Sequence, residues 1–486
     1  MHDSFKQTLF GVLMGCALVT QVMGQQTPAR SSAASVSVWL TNPDDPAALF
    51  VKQPGTLRFD AAIKSVSDPI ITVDKAQRFQ SIDGFGYTLT GGSALLLSRM
   101  GPSERAALLR ELFGTQGNSI GVSYLRVSIG ASDLDERVFS YNDLPDGQTD
   151  PKLERFSLDP DRQYLITVLK QILAINPAIK ILGSPWSPPA WMKTNGSSKG
   201  GSLKPEFYDT YAQYFVKYIR GMQAEGIHID AVTIQNEPLH PGNNPSLLML
   251  PEEQGLFIKK SLGPAFRAAR IQTKIVLYDH NADRPDYPIS ILNDPEVKPY
   301  VDGSAFHLYA GPITALSEVH KAHPDKNLYF TEQWTGAPGN LKGDLGWHVK
   351  NLIIGATRNW SRTVLEWNLA ADPRQQPHTP GGCTQCLGAL TLDGNAVTRN
   401  SPYYVVAVAS KFVRPGSVRV GSEGPDSLPN VAFLTPDKRW VLIVYNDTKT
   451  AQSFAIRENG ALARTSLPAG AVGTYVWGAI RQKPSK

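Results

Sequence analysis

The sequence predicts an α/β fold: a (β/α)8 TIM barrel with an attached β-sandwich domain formed from both chain ends. Short apolar runs alternate with amphipathic stretches eight times between about residues 80 and 368, the order and length of such a barrel with insertions. After Asn400 the rhythm changes to brief apolar runs divided by turn clusters such as Pro436-Asp437-Lys438, the pattern of antiparallel strands. Strand-like pieces ahead of the barrel, at Ser37 to Thr41 and Ile70 to Asp74, are expected to join that late sheet. An open doubly wound sheet also alternates strand and helix, but no glycine-rich phosphate loop follows the first strand.

Taken in order, residues 1–25 read as a secretory signal. Lys6 precedes an almost unbroken apolar run from Leu9 to Met23, which ends at Gly24 before polar sequence. The run falls short of the roughly 20 residues that span a bilayer. A short N-terminal anchor, or a lipidated Cys16 in Leu13-Met14-Gly15-Cys16, is the other reading of this stretch. Export places the mature chain in a secreted or periplasmic setting, with no integral membrane segment after signal removal. Residues 26–75 are a linker and N-terminal strands joining the β-sandwich, residues 76–405 the catalytic barrel, and residues 406–486 the C-terminal β-sandwich. Barrel strands are expected at Ile82 to Gly86, Tyr124 to Ile129, Ile179 to Gly183, Ala231 to Gln235, Lys274 to Tyr278, Gly303 to Leu308, Leu328 to Thr331 and Thr363 to Trp367. Helices are expected at Asp161 to Ile175, Glu206 to Glu225, Glu252 to Arg270 and Tyr403 to Phe412. The stripe Tyr211, Tyr214, Phe215 and Tyr218 has the spacing of a buried helix face. Later strands are expected at Val418 to Gly421, Val431 to Leu434, Trp440 to Tyr445, Ser453 to Arg457 and Val472 to Trp477.

The 486 residues are 42% hydrophobic and 19% charged, which excludes a disordered or fibrous chain. A net charge of +5 is spread without any block of like charge, so nucleic acid is not an expected partner. With the signal removed, the remaining cysteines are Cys383 and Cys386, and export favours a local disulfide between them. A redox motif would need a strand before the pair and a helix starting at it, where Pro380, Gly381 and Gly382 indicate a loop. Half a zinc site with His378 lacks a second ligand pair nearby, so no metal is expected.

In a (β/α)8 barrel, chemistry sits at the carboxyl ends of the strands. Glu237 follows the fourth expected strand in Gln235-Asn236-Glu237-Pro238, and Glu332 ends the seventh in Thr331-Glu332-Gln333-Trp334. Two carboxylates in one mouth are what glycoside hydrolysis needs: an acid for the departing oxygen, and a nucleophile or a base for water. An ionised Glu332 would disfavour ionisation of Glu237, leaving Glu237 as the acid. Asn236 is placed to donate to a sugar hydroxyl. Asp133, Trp186, Trp191, His307, Tyr309 and Trp367-Asn368 stand at other strand ends, where aromatic faces suit sugar rings.

These residues fall in motifs whose order resembles glycoside hydrolase family 30, which includes the lysosomal glucosylceramidases: Asp83-Gly-Phe-Gly86, Leu125-Arg-Val127, Ser184 through Gly196, Asn236-Glu-Pro238, His307-Leu-Tyr309, Thr331-Glu332, Glu366-Trp-Asn-Leu-Ala370 and Ser410 through Gly416. The resemblance implies retaining chemistry with Glu237 as acid/base and Glu332 as nucleophile, and no cofactor. It implies that Asp133, Trp186, Asn236 and Trp367 bind the nonreducing sugar. Arg126, His307 and Tyr309 would support the carboxylates, and Tyr309 also lines the substrate site. Its substrates would be a β-glucan, a glycolipid or a small β-glucoside.

The chain departs from the lysosomal enzymes at Tyr87 through Ser93 and at Gly381 through Cys386, loops that shape the aglycone side. β-1,6-Linked glucan, glucosylceramide, simple β-glucosides and β-xylosides therefore remain as substrates, with glucan favoured for an exported enzyme. A carbohydrate-binding protein without turnover is the alternative class, and the presence of both carboxylates argues against it.

Overall fold

The computed structural model describes residues 35–63 and 66–478. The expected export signal lies outside the described residues. Eight parallel strands close into a barrel: Gly84–Thr88, Tyr124–Ser128, Lys180–Ser184, Ala231–Thr233, Lys274–Asn281, Val301–His307, Asn327–Glu332 and Ser361–Asn368. Each pairs with its predecessor in the chain, and the eighth closes onto the first. All eight overlap the expected strands. Closure demands close backbone approach, which explains Asp83-Gly-Phe-Gly86: a Cβ on Gly86 would lie 1.8 Å from the Tyr124 carbonyl oxygen. Inside, Tyr124, Leu182, Ala231, Val276, Ala305, Tyr329 and Leu365 pack as one buried layer, so the barrel is filled and has no pore.

The helices lie outside. Tyr211, Tyr214, Phe215 and Tyr218 are fully buried on the helix Tyr208–Ala224, as their spacing predicts. Two expected helices are interrupted. Asp161 to Ile175 splits into Asp159–Arg162 and Leu165–Ile175, and Glu252 to Arg270 passes through a π-helical turn at Ile258–Leu262. Among the described residues no helix is long and apolar enough to cross a membrane.

Both chain ends build the second domain. Ser35–Thr41 pairs antiparallel with Val472–Gly478, and Ile70–Ser81 lies between Val418–Glu423 and Gln452–Glu458 in a ten-stranded sheet. That sheet curls until Asp60 bridges to Leu462 near its far edge, enclosing Val36, Ile71, Leu442, Phe454, Tyr475 and Trp477. Ile70–Ser81 runs seven residues past its expected end, through the exposed stretch Lys75–Arg78, which carries no apolar alternation to reveal it. Ala461–Leu467 is a strand that apolar patterning did not reveal, because Arg464, Thr465 and Ser466 interrupt it. It forms as a hairpin with Gln452–Glu458 across Asn459-Gly460, both with positive φ, the turn chemistry that matches strand twist.

The domains share one apolar core. Along Arg439–Tyr445, Val441 and Ile443 pack into the barrel's core, while Leu442 and Val444 face the sandwich interior. A strand buried on both faces reads as a continuous apolar run, which is what this segment shows. The helix Ser401–Ser410 is the other joint: Pro402 O accepts from Tyr87 Oη in the first barrel strand at 3.2 Å, and Val408 O accepts from Thr474 Oγ1 in the last sandwich strand at 2.9 Å. The boundary read between residues 405 and 406 therefore falls inside this helix.

At the amino-terminal face, Asp83 is buried and accepts from Arg362 Nε and Nη2 at 2.9 and 3.0 Å and from Lys180 Nζ at 2.7 Å. Burial pushes its pKa up, but the two cations outweigh that and hold it below the usual carboxylate value. Its stabilisation is therefore present above the ordinary carboxylate range and fades only as pH falls through the lowered value. Asp83→Ala, which strands two partly buried cations, is expected to cost about 3 kcal/mol in urea unfolding. Activity per folded molecule is expected to stay near wild type, since this face is opposite the mouth.

Candidate active site

Irregularities at the strand ends aim the site's side chains. The ladder between the fifth and sixth barrel strands skips from Tyr278 opposite Ala305 to His280 opposite Phe306, leaving Asp279 as the extra residue. Between the sixth and seventh it skips from Phe330 to Glu332. Such bulges turn a side chain that strict alternation would point outward. Tyr278, Asp279 and Glu237 all hold positive φ, at 71°, 65° and 46°, conformations that cost non-glycine residues and persist where surroundings enforce them. Here the enforcing contact is visible: Glu237 N donates to Asp279 O at 3.0 Å.

The Asp279 carboxylate is fully buried and takes five bonds. One oxygen accepts from His307 Nε2 at 3.1 Å and Thr331 Oγ1 at 2.6 Å. The other accepts from Arg126 Nη2 at 2.8 Å, Thr233 Oγ1 at 2.8 Å and Ser184 Oγ at 3.1 Å. Burial alone would raise its pKa; Arg126 and His307 overcome that and keep it ionised. Arg126, also fully buried, spends its remaining donors on Glu332 Oε2 at 2.6 Å, Asn236 Oδ1 at 2.6 Å and Ser184 Oγ at 3.1 Å. With its oxygen turned to Arg126, the Asn236 amide keeps its N–H groups for a ligand.

Glu237 and Glu332 converge on one imidazole. His307 Nδ1 lies 3.3 Å from Glu237 Oε1 and 3.9 Å from Glu332 Oε1, so these oxygens are at most about 7.2 Å apart, the sum of the two. Glu332 also accepts from Tyr309 Oη at 2.8 Å. Burial would push the His307 pKa down, but Glu332, Asp279 and Glu237 raise it to about 9, so the ring is a cation at neutral pH. Burial, and the Glu237 charge, raise the pKa of Glu332 against His307 and Arg126. For Glu237 burial is outweighed by His280 and His307, and its pKa lies below the usual value. These directions favour the proton expected on Glu237 being held on the imidazole side of the Glu237–His307 contact. Two imidazoles facing Glu237, one of them on a strand end that sequence reasoning passed over, are the reason.

These carboxylates open into a cavity of about 470 Å³, the size of a small-molecule site. Trp186 and Trp367 stack with ring centroids 5.4 Å apart on one side, and the Arg126 guanidinium lies 4.7 Å from the Trp186 ring. Asp133, Asn236, Tyr309 and Trp334 complete the walls. Burial, and the nearby Glu332 charge, raise Asp133 to about 7.

The model for the "Glycosyl hydrolase family 30 TIM-barrel domain" matches residues 82–413, and that for the family's beta sandwich domain matches residues 416–475. The chain belongs to glycosyl hydrolase family 30. It is 37% identical to an endo-1,6-beta-D-glucanase of Neurospora crassa over 73% of this chain and 75% of that one. It is 31% identical to the lysosomal acid glucosylceramidase of Mus musculus over 84% and 83%. A solved endo-beta1,6-glucanase superposes with a TM-score of 0.84 at 33% identity, covering 92% of this chain and 99% of its own. The chain is thus a β-glycoside hydrolase.

Within this family 30 enzyme, the two expected carboxylates Glu237 and Glu332, with Asp133, Trp186, Asn236, Tyr309 and Trp367 and the supporting Arg126 and His307, meet at the one mouth, as do Cys383 and Cys386, which are bonded to each other and line the cavity. Sequence reasoning missed Asp279, His280 and Trp334. Asp279-His280 directly follows the fifth expected strand, so the rule applied to the other strand ends would have found it. Trp191 stays behind the mouth, donating to Asn142 and packing on Phe207.

The disulfide loop ties three strand-end loops together. Cys383 N donates to Asp133 Oδ2 at 3.2 Å, and Thr379 N to Asp133 O at 2.8 Å. Thr379 Oγ1 donates to Asn244 O at 2.5 Å, and Ala337 N to Gln385 O at 2.8 Å. Cys386 is buried against Trp186 and Trp367. A double Cys383→Ser/Cys386→Ser variant frees this wall. It is expected to lose about tenfold in kcat/KM on the natural substrate, some 1.4 kcal/mol, mostly through KM, with Tm lowered only slightly. Steady-state kinetics and a thermal melt check both.

Proposed function

We propose that this chain is an exported, retaining β-1,6-glucanase that cleaves through a covalent glycosyl-enzyme intermediate, with Glu332 as nucleophile and Glu237 as acid/base. The observation that carries the reading is the convergence of both carboxylates on His307 Nδ1. The 7.2 Å ceiling on their Oε1 separation is compatible with the roughly 5–5.5 Å between the carboxyl groups of a retaining pair and lies toward the short end of the roughly 6.5–9.5 Å inverting range. Glucan is favoured because the relatives at 33 to 37% identity are named endo-1,6-beta-D-glucanases, against 31% for the mouse glucosylceramidase. Export rests on the Lys6 and Leu9-to-Met23 pattern.

In the first step a Glu332 oxygen attacks the anomeric carbon as the glycosidic C–O bond breaks, and the departing oxygen takes a proton from Glu237. That proton is drawn from His307, whose Nδ1 is 3.3 Å from Glu237 Oε1. Substrate that excludes water around Glu237 favours its neutral form and so promotes the transfer. Arg126 and Tyr309 hold Glu332 in place for attack. Once Glu332 is esterified its charge is gone, and Glu237, now ionised, removes a proton from water as the water oxygen bonds to the anomeric carbon and releases Glu332. Asn236 donates to the sugar's 2-hydroxyl, and the Trp186 ring offers a buried Nε1–H that has no partner among the described residues. Asp133 binds outer hydroxyls, which favours glucose over xylose.

Wild-type enzyme is expected to release, from β-1,6-glucan, sugar whose new reducing end appears first as the β-anomer by NMR, and faster than it releases sugar from glucosylceramide or an aryl β-xyloside. Glu332→Gln should abolish turnover. Glu237→Gln should lose about 10²–10⁴-fold on glucan but much less on an aryl glucoside whose leaving group needs no proton. An α-anomer as first product would sink the two-step mechanism, and sugar binding without turnover would leave a carbohydrate-binding protein.

A further inference from the structure

Glu237, His280 and His307 form a cluster whose chemistry goes beyond proton transfer. One ligating atom from each, a carboxylate oxygen of Glu237 and a ring nitrogen of each histidine, lies within 4.8 Å of the other two, and all three residues are buried. His307 Nδ1 and His280 Nδ1 stand 3.3 and 3.7 Å from Glu237 Oε1. A tetrahedral zinc ion with bonds of about 2.0–2.1 Å holds its ligand atoms about 3.3 Å apart, so two of the three edges are close to that spacing before any side chain moves. Among the described residues His280 Nδ1 has no hydrogen-bond partner although its side chain is only 9% exposed, an orphaned polar atom 3.7 Å from Glu237 Oε1. His307 Nε2 bonds to Asp279 Oδ1 at 3.1 Å, the carboxylate–histidine arrangement that orients an imidazole and leaves its other nitrogen for a metal. The surroundings suit a divalent cation: Glu332, Asp279 and Asp133 stand nearby, with Arg126 the fixed positive charge among them.

We propose that Glu237 Oε1, His280 Nδ1 and His307 Nδ1 form a binding site for a divalent transition-metal ion of the zinc and copper class, and that an ion held there inhibits the enzyme. Two imidazoles and one carboxylate are a donor set these ions favour over magnesium or calcium. Three protein ligands leave a fourth position for water, and two of the three, Glu237 and His280, line the sugar cavity. No oxidation state changes. The ion occupies the Glu237 lone pair that must carry the catalytic proton and displaces the proton of His307, so the departing glycosidic oxygen is left without a donor. This consequence rests on the proposed role of Glu237; the binding itself does not.

Titration calorimetry of the metal-free enzyme with Zn²⁺ reads the site without reference to turnover. One ion per chain is expected for wild type, with affinity weakened about tenfold or more in both His280→Asn and Glu237→Gln and unchanged in His228→Asn, whose side chain is 75% exposed away from the cavity. With β-1,6-glucan, Zn²⁺ should inhibit wild type, EDTA should restore the rate, and the inhibitory concentration should rise by the same factor in whatever activity His280→Asn retains. Wild-type affinity in either site variant, or no binding up to millimolar Zn²⁺, overturns the proposal. Metal binding without glucan hydrolysis would instead overturn the functional reading and leave this site standing, and hydrolysis without metal binding would do the reverse.

Discussion

The Asp279 carboxylate is the contact on which this molecule's working end depends. It takes hydrogen bonds from residues of the second, third, fourth, sixth and seventh barrel strands while standing on the fifth, so one buried charge spans six of the eight. A buried carboxylate is costly unless its oxygens are satisfied, and removing any of its charged partners would leave it uncompensated. The five donors therefore fix Arg126 and His307, and through them Glu332, Asn236 and Glu237. Backbone follows the same constraint: the Asp279 carbonyl takes the amide of Glu237, whose left-handed conformation it helps to hold. The proposed two-carboxylate mechanism needs its pair at a set distance, and this network holds Glu237 and Glu332 on rigid strand ends.

Around that centre, rigidity comes from apolar burial shared between the domains. Val441 and Ile443 belong to the barrel's core and Leu442 and Val444 to the sandwich's, although all four lie on one strand. Since burial is worth roughly 25 cal/mol per Å² of apolar surface, a strand buried on both faces binds the two domains into one cooperative block. At the mouth the walls are loops outside that shared core, with a small apolar cluster of Leu134, Trp186, Trp367 and Cys386. The Cys383–Cys386 bond and the hydrogen bonds of Thr379 to Asp133 and Asn244 brace these loops.

Much of this was legible in the residues. Hydrophobic periodicity is a local property, so all eight barrel strands and the tyrosine-faced helix could be read directly. The strand-end rule then led to Asp133, Trp186, Asn236, Glu237, His307, Tyr309, Glu332 and Trp367, which line or support one cavity. Where local pattern was weak the reading stopped short. Lys75–Arg78 is exposed strand without alternation, and Ala461–Leu467 is betrayed only by its Asn459-Gly460 turn. Asp279 and His280 stood in plain view after the fifth strand but carried no motif that linked them to the carboxylate pair.

By itself, then, the sequence determined the number and order of the barrel strands, the residue types at their ends and the family to which they belong, because each follows from short-range pattern. Only the tertiary structure decided how far Glu237 stands from Glu332, which lie 95 positions apart, and which imidazoles face them. Those distances depend on barrel closure and on register shifts at Asp279 and Thr331, and a one-residue shift turns a side chain from one face of a strand to the other. The raised pKa of His307 was decided at the same level: Glu332, Asp279 and Glu237, whose charges raise it, come from three other strand ends, which no stretch of chain contains.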